Sequence, residues 1–338
     1  GPELLDYPGP TADLACRQAL LGWLADRLLG DITADDLALS MGGQGAMGVV
    51  MQLVLRDHRP LILAEALGYP GLRHAARLAR GRMVPVALDE RGMIPAALDA
   101  AAADGLAGLV CVTPAAQNPT AASMDRPRRE EIVVVARRHD LQILEDECIW
   151  SPSYPDQLSS LRALAPERTW TVTSLSKTLS AALRVGALVC PAGMGQPARL
   201  AVQHAHFGLP LPVTAMVTHL LDSGIAARLG AEVQAIFDDR AASAAAALDG
   251  TDVVWRPGAP HLWLRLPPGW RGSTFVRAAC WSGPLTNSRR CTAMAGRRGR
   301  GRRCPTPSGW PSPARSRARA LTAPSQPCAA CMTRRRPK

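Results

Sequence analysis

Short apolar runs alternate with segments of helical period along most of the chain. Residues 61–65 (LILAE), 83–88, 108–114, 141–146, 169–176 and 183–190 are near-continuous apolar stretches of strand length, the pattern of strands covered on both faces. Between them, residues 71–81, 94–103 and 126–139 carry apolar positions three and four apart and predict helices. Residues 13–29 predict an amphipathic helix at the start. Residues 36–41 form a short apolar approach to Gly42-Gly43-Gln44-Gly45, and 46–55 a buried helix, so a glycine-rich turn opens a helix there. Residues 201–248 are Ala-rich and helical, and 261–267 (HLWLRLP) read as a strand of a second, smaller domain. Strands alternating with helices predict an α/β fold around a largely parallel sheet.

The pattern stops near residue 280. From Trp281 to Lys338 there are thirteen Arg, one Lys and no acid, a charge of +14 that leaves the first 280 residues at −3 within the total of +11. This stretch lacks either period and predicts disorder. A nucleic-acid-binding tail is one reading. Translation of GC-rich DNA in the wrong frame is the other, and the Arg, Pro, Ala, Gly and Ser content favours it. Cys328 and Cys331 form a CxxC without a second pair, a weak metal or redox signal, and no metal site is expected. No apolar run reaches membrane-spanning length and no signal peptide is evident, so a soluble cytoplasmic protein is expected. Lys177 is the only lysine before Lys338. Arginine serves elsewhere, and only lysine can shed its proton to act as an amine nucleophile.

Four signals fall at the expected C-terminal ends of strands, where open α/β sheets place their sites. They are the glycine turn at 42–45, Gln117-Asn118-Pro119-Thr120, Glu145-Asp146, and Ser174-Leu175-Ser176-Lys177 with Arg184-Val185-Gly186 beyond it. With Glu65-Ala66-Leu67-Gly68-Tyr69-Pro70-Gly71, their order resembles the fold-type I aminotransferases over about residues 7–279. Within these, it is most similar to the aminotransferase-like domain of GntR/MocR-type bacterial regulators. The resemblance implies a mostly parallel seven-stranded sheet sandwiched by helices, with a smaller and here incomplete α+β domain. It divides the chain into an N-terminal segment (1–30), a cofactor domain (31–245), the start of the small domain (246–280) and the basic tail (281–338).

The cofactor implied is pyridoxal 5′-phosphate, joined to Lys177 as a Schiff base. An apolar setting between strand segments would bury Lys177 and lower its pKa from about 10.4. Asp146 would pair with the protonated pyridine nitrogen, and Asn118 would donate to the phenolic oxygen. Gly43 and Gln44 would offer backbone donors to the phosphate, and Ser174, Ser176 and Arg184 would add hydroxyls and a guanidinium. Tyr69 would stack on the ring. Tyr7 would reach the phosphate of a neighbouring subunit, which implies a homodimer.

Three departures stand out. Relatives carry a Tyr two or three residues after the aspartate, where this chain has Cys148 and Ile149, and the usual Gly of the N-terminal turn is Ala12. No residue in 281–338 has the strand context of the family's substrate-carboxylate arginine, so low stability or lost turnover is expected. The resemblance leaves two functions open. One is transfer of an amino group between an amino acid and a 2-oxo acid. The other is ligand sensing in a regulator, with DNA as a partner only through a winged helix-turn-helix absent from this chain.

Overall fold

A computed structural model of the 338-residue chain describes residues 7–9, 11–151 and 158–281. The chain divides into two compact units, Gly1–Leu266 and Pro267–Lys338. The basic stretch beyond Trp281, with Cys328 and Cys331, lies outside the described residues.

The first unit is built on a seven-stranded sheet of β1 (Leu37–Met41), β2 (Leu61–Glu65), β3 (Arg82–Val86), β6 (Ala107–Val112), β7 (Gln142–Asp146), β8 (Thr169–Ser174) and β9 (Val185–Val189), in the order β1-β9-β8-β7-β6-β2-β3. The five strands from β3 to β8 are parallel, while β9 runs antiparallel to both β8 and β1. The expected mostly parallel sheet is present. The approach at 36–41 proves to be strand β1, and its register against β9 sets Ser40 opposite Gly186. Strands β4 (Leu88–Asp89) and β5 (Gly92–Met93) form a small hairpin, and β10 (Val253–Trp255) pairs antiparallel with β11 (Leu262–Leu264).

The helices are α1 (Leu14–Trp23), α2 (Gly42–Val54), α3 (Pro70–Leu78), α4 (Pro95–Ala102), α5 (Arg126–Arg138), α6 (Leu161–Leu164), α7 (Gly195–His206), α8 (Leu211–Asp222) and α9 (Ile225–Ala247). The second unit contributes α10 (Gly272–Trp281). Every residue of β2, β6, β8 and β9 is buried, as continuous apolar runs require. Successive side chains point to opposite faces. Ile62, Leu109, Leu144 and Leu188 join Met47, Val50 and Met51 of α2 on one face, while Leu63, Val110 and Ile143 join Leu98 of α4 and Ile132 of α5 on the other. A third cluster packs Cys16, Leu20 and Leu24 against Leu37, Leu39, Val185, Ala187 and Val189 at the β1–β9 edge.

Two expectations shift at element ends. The first helix stops at Trp23 rather than running to 29, because Ala25–Arg27 tightens into a 3-10 turn and Leu28 takes a left-handed φ of 50°. That turn sends Arg27 inward, where Nη1 donates to the Glu147 carbonyl (3.3 Å) and Thr173 Oγ1 (2.5 Å). Helix α2 starts at Gly42, so the glycines form its first turn rather than a loop ahead of it. At Gly186 a Cβ would lie 2.6 Å from the Gly42 carbonyl carbon, so only glycine lets β9 approach the start of α2 this closely.

Candidate functional site

The C-terminal ends of β2, β6, β7 and β8 lie side by side, and the start of α2 sits against the last two. A Cβ placed on Gly43 would meet Cys148 Sγ at 2.5 Å, Val172 Cγ1 at 3.5 Å and Ser174 Cβ at 4.0 Å. Gly43 therefore seats the helix directly on the ends of β7 and β8. Among the described residues no side chain caps α2, so its first-turn amides are left to serve as anion donors. Ser174 Oγ lies 3.0 Å from Ser176 Oγ and accepts from the Ser176 amide (3.1 Å). Arg184 follows in the left-handed region and donates to the Met41 carbonyl (3.3 Å), with its guanidinium over Gly42. Gly43, Gln44, Ser174, Ser176 and Arg184 are thus gathered around one helix start.

Asp146 ends β7 beside Val172 and accepts from the Cys148 amide at 3.0 Å. Burial pushes its carboxyl above the ordinary range, opposed by that amide, and no cationic side chain among the described residues offsets the cost. The neighbouring acids point to the opposite face, as the two-residue period of a strand demands. Glu145 accepts from the Leu161 amide (2.7 Å) and Thr171 Oγ1 (2.8 Å), a structural role. Glu147 is pushed up to about 7 by burial and by repulsion from Glu145, against the pull of Arg129 and Arg27.

Lys177 lies in the turn after β8, closed by the Leu179 amide on the Leu175 carbonyl (2.8 Å). It is exposed, which corrects the expected burial: the turn carries it past the end of the strand rather than between strands. Asn118 follows Gln117, whose amide donates to Glu65 Oε2 (3.1 Å) and the Leu67 carbonyl (2.6 Å), and a cis peptide joins Asn118 to Pro119. Tyr69 precedes α3 and is partly exposed. Its ring adjoins Gly71, whose carbonyl accepts from Gln44 Nε2 at 2.8 Å. Tyr7 is not brought into this group: it is 80% exposed and stands against Phe207, ring centroids 5.0 Å apart.

Glu65, at the end of β2, carries a signal that sequence reasoning leaves unassigned. It is an acid closing a buried apolar run, as Asp146 is. Burial pushes its carboxyl up to about 8, opposed by the Gln117 amide and by the Thr113 backbone. His261 and Arg256 are missed as well. His261 Nε2 lies 3.2 Å from the Gln117 carbonyl, and Arg256 Nε donates to the Ala121 carbonyl at 2.9 Å.

These residues fit the cofactor that the sequence resemblance implies. The uncapped helix start with its hydroxyls and guanidinium suits a phosphate. Asp146, desolvated and without a cationic partner among the described residues, suits a protonated ring nitrogen, and Lys177 offers an exposed amine. Cys148, at a position where the resemblance implies a tyrosine, fills the space beneath Gly43. Among the described residues no group of three His, Cys, Asp or Glu could hold a metal ion, and no helix is long and apolar enough to cross a membrane.

The chain resembles known proteins in sequence and in fold. The chain is 28% identical over 290 residues to the 2-aminoadipate transaminase of Thermus thermophilus, covering 82% of this chain and 71% of that one. It is 32% identical over 189 residues to the (S)-3,5-dihydroxyphenylglycine transaminase of Amycolatopsis orientalis, covering 54% of this chain and 41% of the other. It is also 27% identical over 186 residues to the pyridoxine biosynthesis transcriptional regulator PdxR of Corynebacterium glutamicum, covering 52% and 40%. Against these last two relatives, the chain spans about two fifths of their length. Among solved structures, an α-aminoadipate aminotransferase from Thermus thermophilus superposes with a TM-score of 0.70 at 25% identity, over 82% of this chain and 72% of that one. The family model for aminotransferase class I and II matches residues 1–278. The chain belongs to the class I and II aminotransferase family.

Proposed function

We propose that the protein binds pyridoxal 5′-phosphate through Lys177 and transfers an amino group between an amino acid and a 2-oxo acid. The observation that carries this reading is Asp146: a desolvated carboxylate with no cationic side chain among the described residues to offset its burial, at the end of β7 beside β8, the strand that leads to Lys177. When bound, the cofactor would supply an electron sink for the substrate Cα. Asp146 would hold the proton on the ring nitrogen and keep that sink effective. Asn118 would donate to the phenolic oxygen, and the amides of Gly43 and Gln44, with Ser174, Ser176 and Arg184, would hold the phosphate. Tyr69 would cover the ring. The Lys177 amine would first hold the cofactor and then carry a proton to and from the substrate Cα.

Addition of pyridoxal phosphate should produce a visible absorption band that borohydride bleaches and fixes to Lys177. A protein that stays colourless, or a Lys177→Ala variant that colours and is fixed like the parent, would refute the assignment. Similarity to a regulator supports a second reading, in which the same site senses a ligand. A panel of amino acids and 2-oxo acids separates the two. Enzyme turnover transfers the amino group, whereas a sensor changes its spectrum without releasing product. A homodimer, with Tyr7 serving the partner's phosphate site, belongs to the same proposal and is tested by sedimentation.

A further inference from the structure

The turn carrying Asn118 is held from two sides. On one side Gln117 reaches Glu65 Oε2 and the Leu67 carbonyl, while Thr120 donates from its amide (3.0 Å) and its hydroxyl (2.6 Å) to Gln117 Oε1. On the other side stands the segment that contains β10 and β11. Arg256 Nε donates to the Ala121 carbonyl at 2.9 Å, and His261 Nε2 meets the Gln117 carbonyl at 3.2 Å. A carbonyl can only accept, so Nε2 carries the hydrogen. The two accepting carbonyls bracket Asn118 and Pro119.

This turn needs holding. Ala116 and Ala121 both adopt left-handed backbone, with φ of 43° and 58°, a region that residues with a Cβ occupy only when their surroundings fix them. The segment that grips the turn is itself secured: the Gly258 amide donates to Asp238 Oδ1 on α9 (2.7 Å), an oxygen that also accepts from Gln234 Nε2 (3.0 Å). His261 is half-buried, and burial pushes its imidazole below the ordinary value, opposed by the Gln117 carbonyl, while the Lys177 charge adds to the lowering. The imidazole therefore stands within electrostatic reach of Lys177.

We propose that Arg256 and His261 are positioning residues for Asn118: by clamping the carbonyls of Ala121 and Gln117 they fix the turn and thereby the direction in which the Asn118 amide is presented. This rests on the cofactor reading above for its chemical consequence, though not for the clamp itself. A loosened turn would weaken the donation from Asn118 to the cofactor's phenolic oxygen. That oxygen would then retain more negative charge and hold the neighbouring imine proton more tightly.

Arg256→Met and His261→Phe remove the donors while keeping bulk, and His261→Gln keeps a donor. In the protein without cofactor, amide hydrogen exchange of a peptide spanning 117–122 should quicken about fivefold in the first two variants, the factor a single neutral hydrogen bond is worth. A peptide from α5 should be unchanged, and His261→Gln should stay near the parent. With pyridoxal phosphate bound, the pH midpoint of the visible band should rise by about one unit in Arg256→Met and His261→Phe, as expected on losing a hydrogen bond to a charged oxygen. Unchanged exchange overturns the clamp. Faster exchange with an unmoved midpoint overturns the link to Asn118. A parent protein that never colours overturns the cofactor reading instead, and the exchange result then decides the clamp by itself.

Discussion

Glu65 closes β2 with Oε2 on the Gln117 amide, and burial pushes its pKa from 4.5 to about 8 against the lowering by Gln117 and by the Thr113 backbone. In the unfolded chain it ionises near the lower value, whereas in the folded protein it keeps its proton until the higher one. The folded state thus binds the extra proton between them. Its contribution to stability is fully present below 4.5 and is lost as pH rises from there through about 8. At 1.36 kcal/mol per unit, the gap between the two values corresponds to about 5 kcal/mol. Glu65→Gln removes the titration while leaving an amide oxygen to accept from Gln117. Urea unfolding of parent and variant at about pH 5 and about pH 9 should show the variant gaining about 4 kcal/mol on the parent between the two conditions. Asp146 and Glu147 titrate in both proteins and largely drop out of the difference. A stability difference that is the same at both pH values would refute the argument that desolvation governs Glu65.

Three further outcomes follow from the same geometry. Gly43→Ala places a Cβ 2.5 Å from Cys148 Sγ and should cost about 1–3 kcal/mol in urea unfolding, with part of the loss restored by adding Cys148→Ala. Arg128→Met strips a buried guanidinium from Asp89 (3.0 and 2.9 Å) and from the carbonyls of Gly92 and Met93, and should cost about 3 kcal/mol by thermal or urea unfolding. Lys177→Ala should abolish the borohydride-fixed band while leaving the melting temperature within about 2 °C of the parent, because an exposed side chain contributes little packing.

Much of this protein is determined by its sequence alone. Residues 108–112 are apolar without a break, which suits a strand covered on both faces, and β6 is buried throughout. The order of the glycine turn, Asn118, Asp146 and Lys177 is local chemistry at strand ends, and it is legible without tertiary structure. What lies between distant segments is not. That β9 runs antiparallel and brings Gly186 against the start of α2 depends on pairing, which no periodicity encodes. The exposure of Lys177 escapes the sequence because apolar neighbours along the chain do not fix which way a turn leaves the sheet. Glu65 carries a visible signal, an acid at the end of a buried run, but the burial that raises its pKa emerges only when the whole surroundings are assembled. Arg256 and His261 meet the Asn118 turn across more than a hundred residues, so only tertiary packing could join them to it. Sequence sets what each segment can do, because propensity and burial act locally; the fold decides which charges and donors meet, because those meetings are made across the chain.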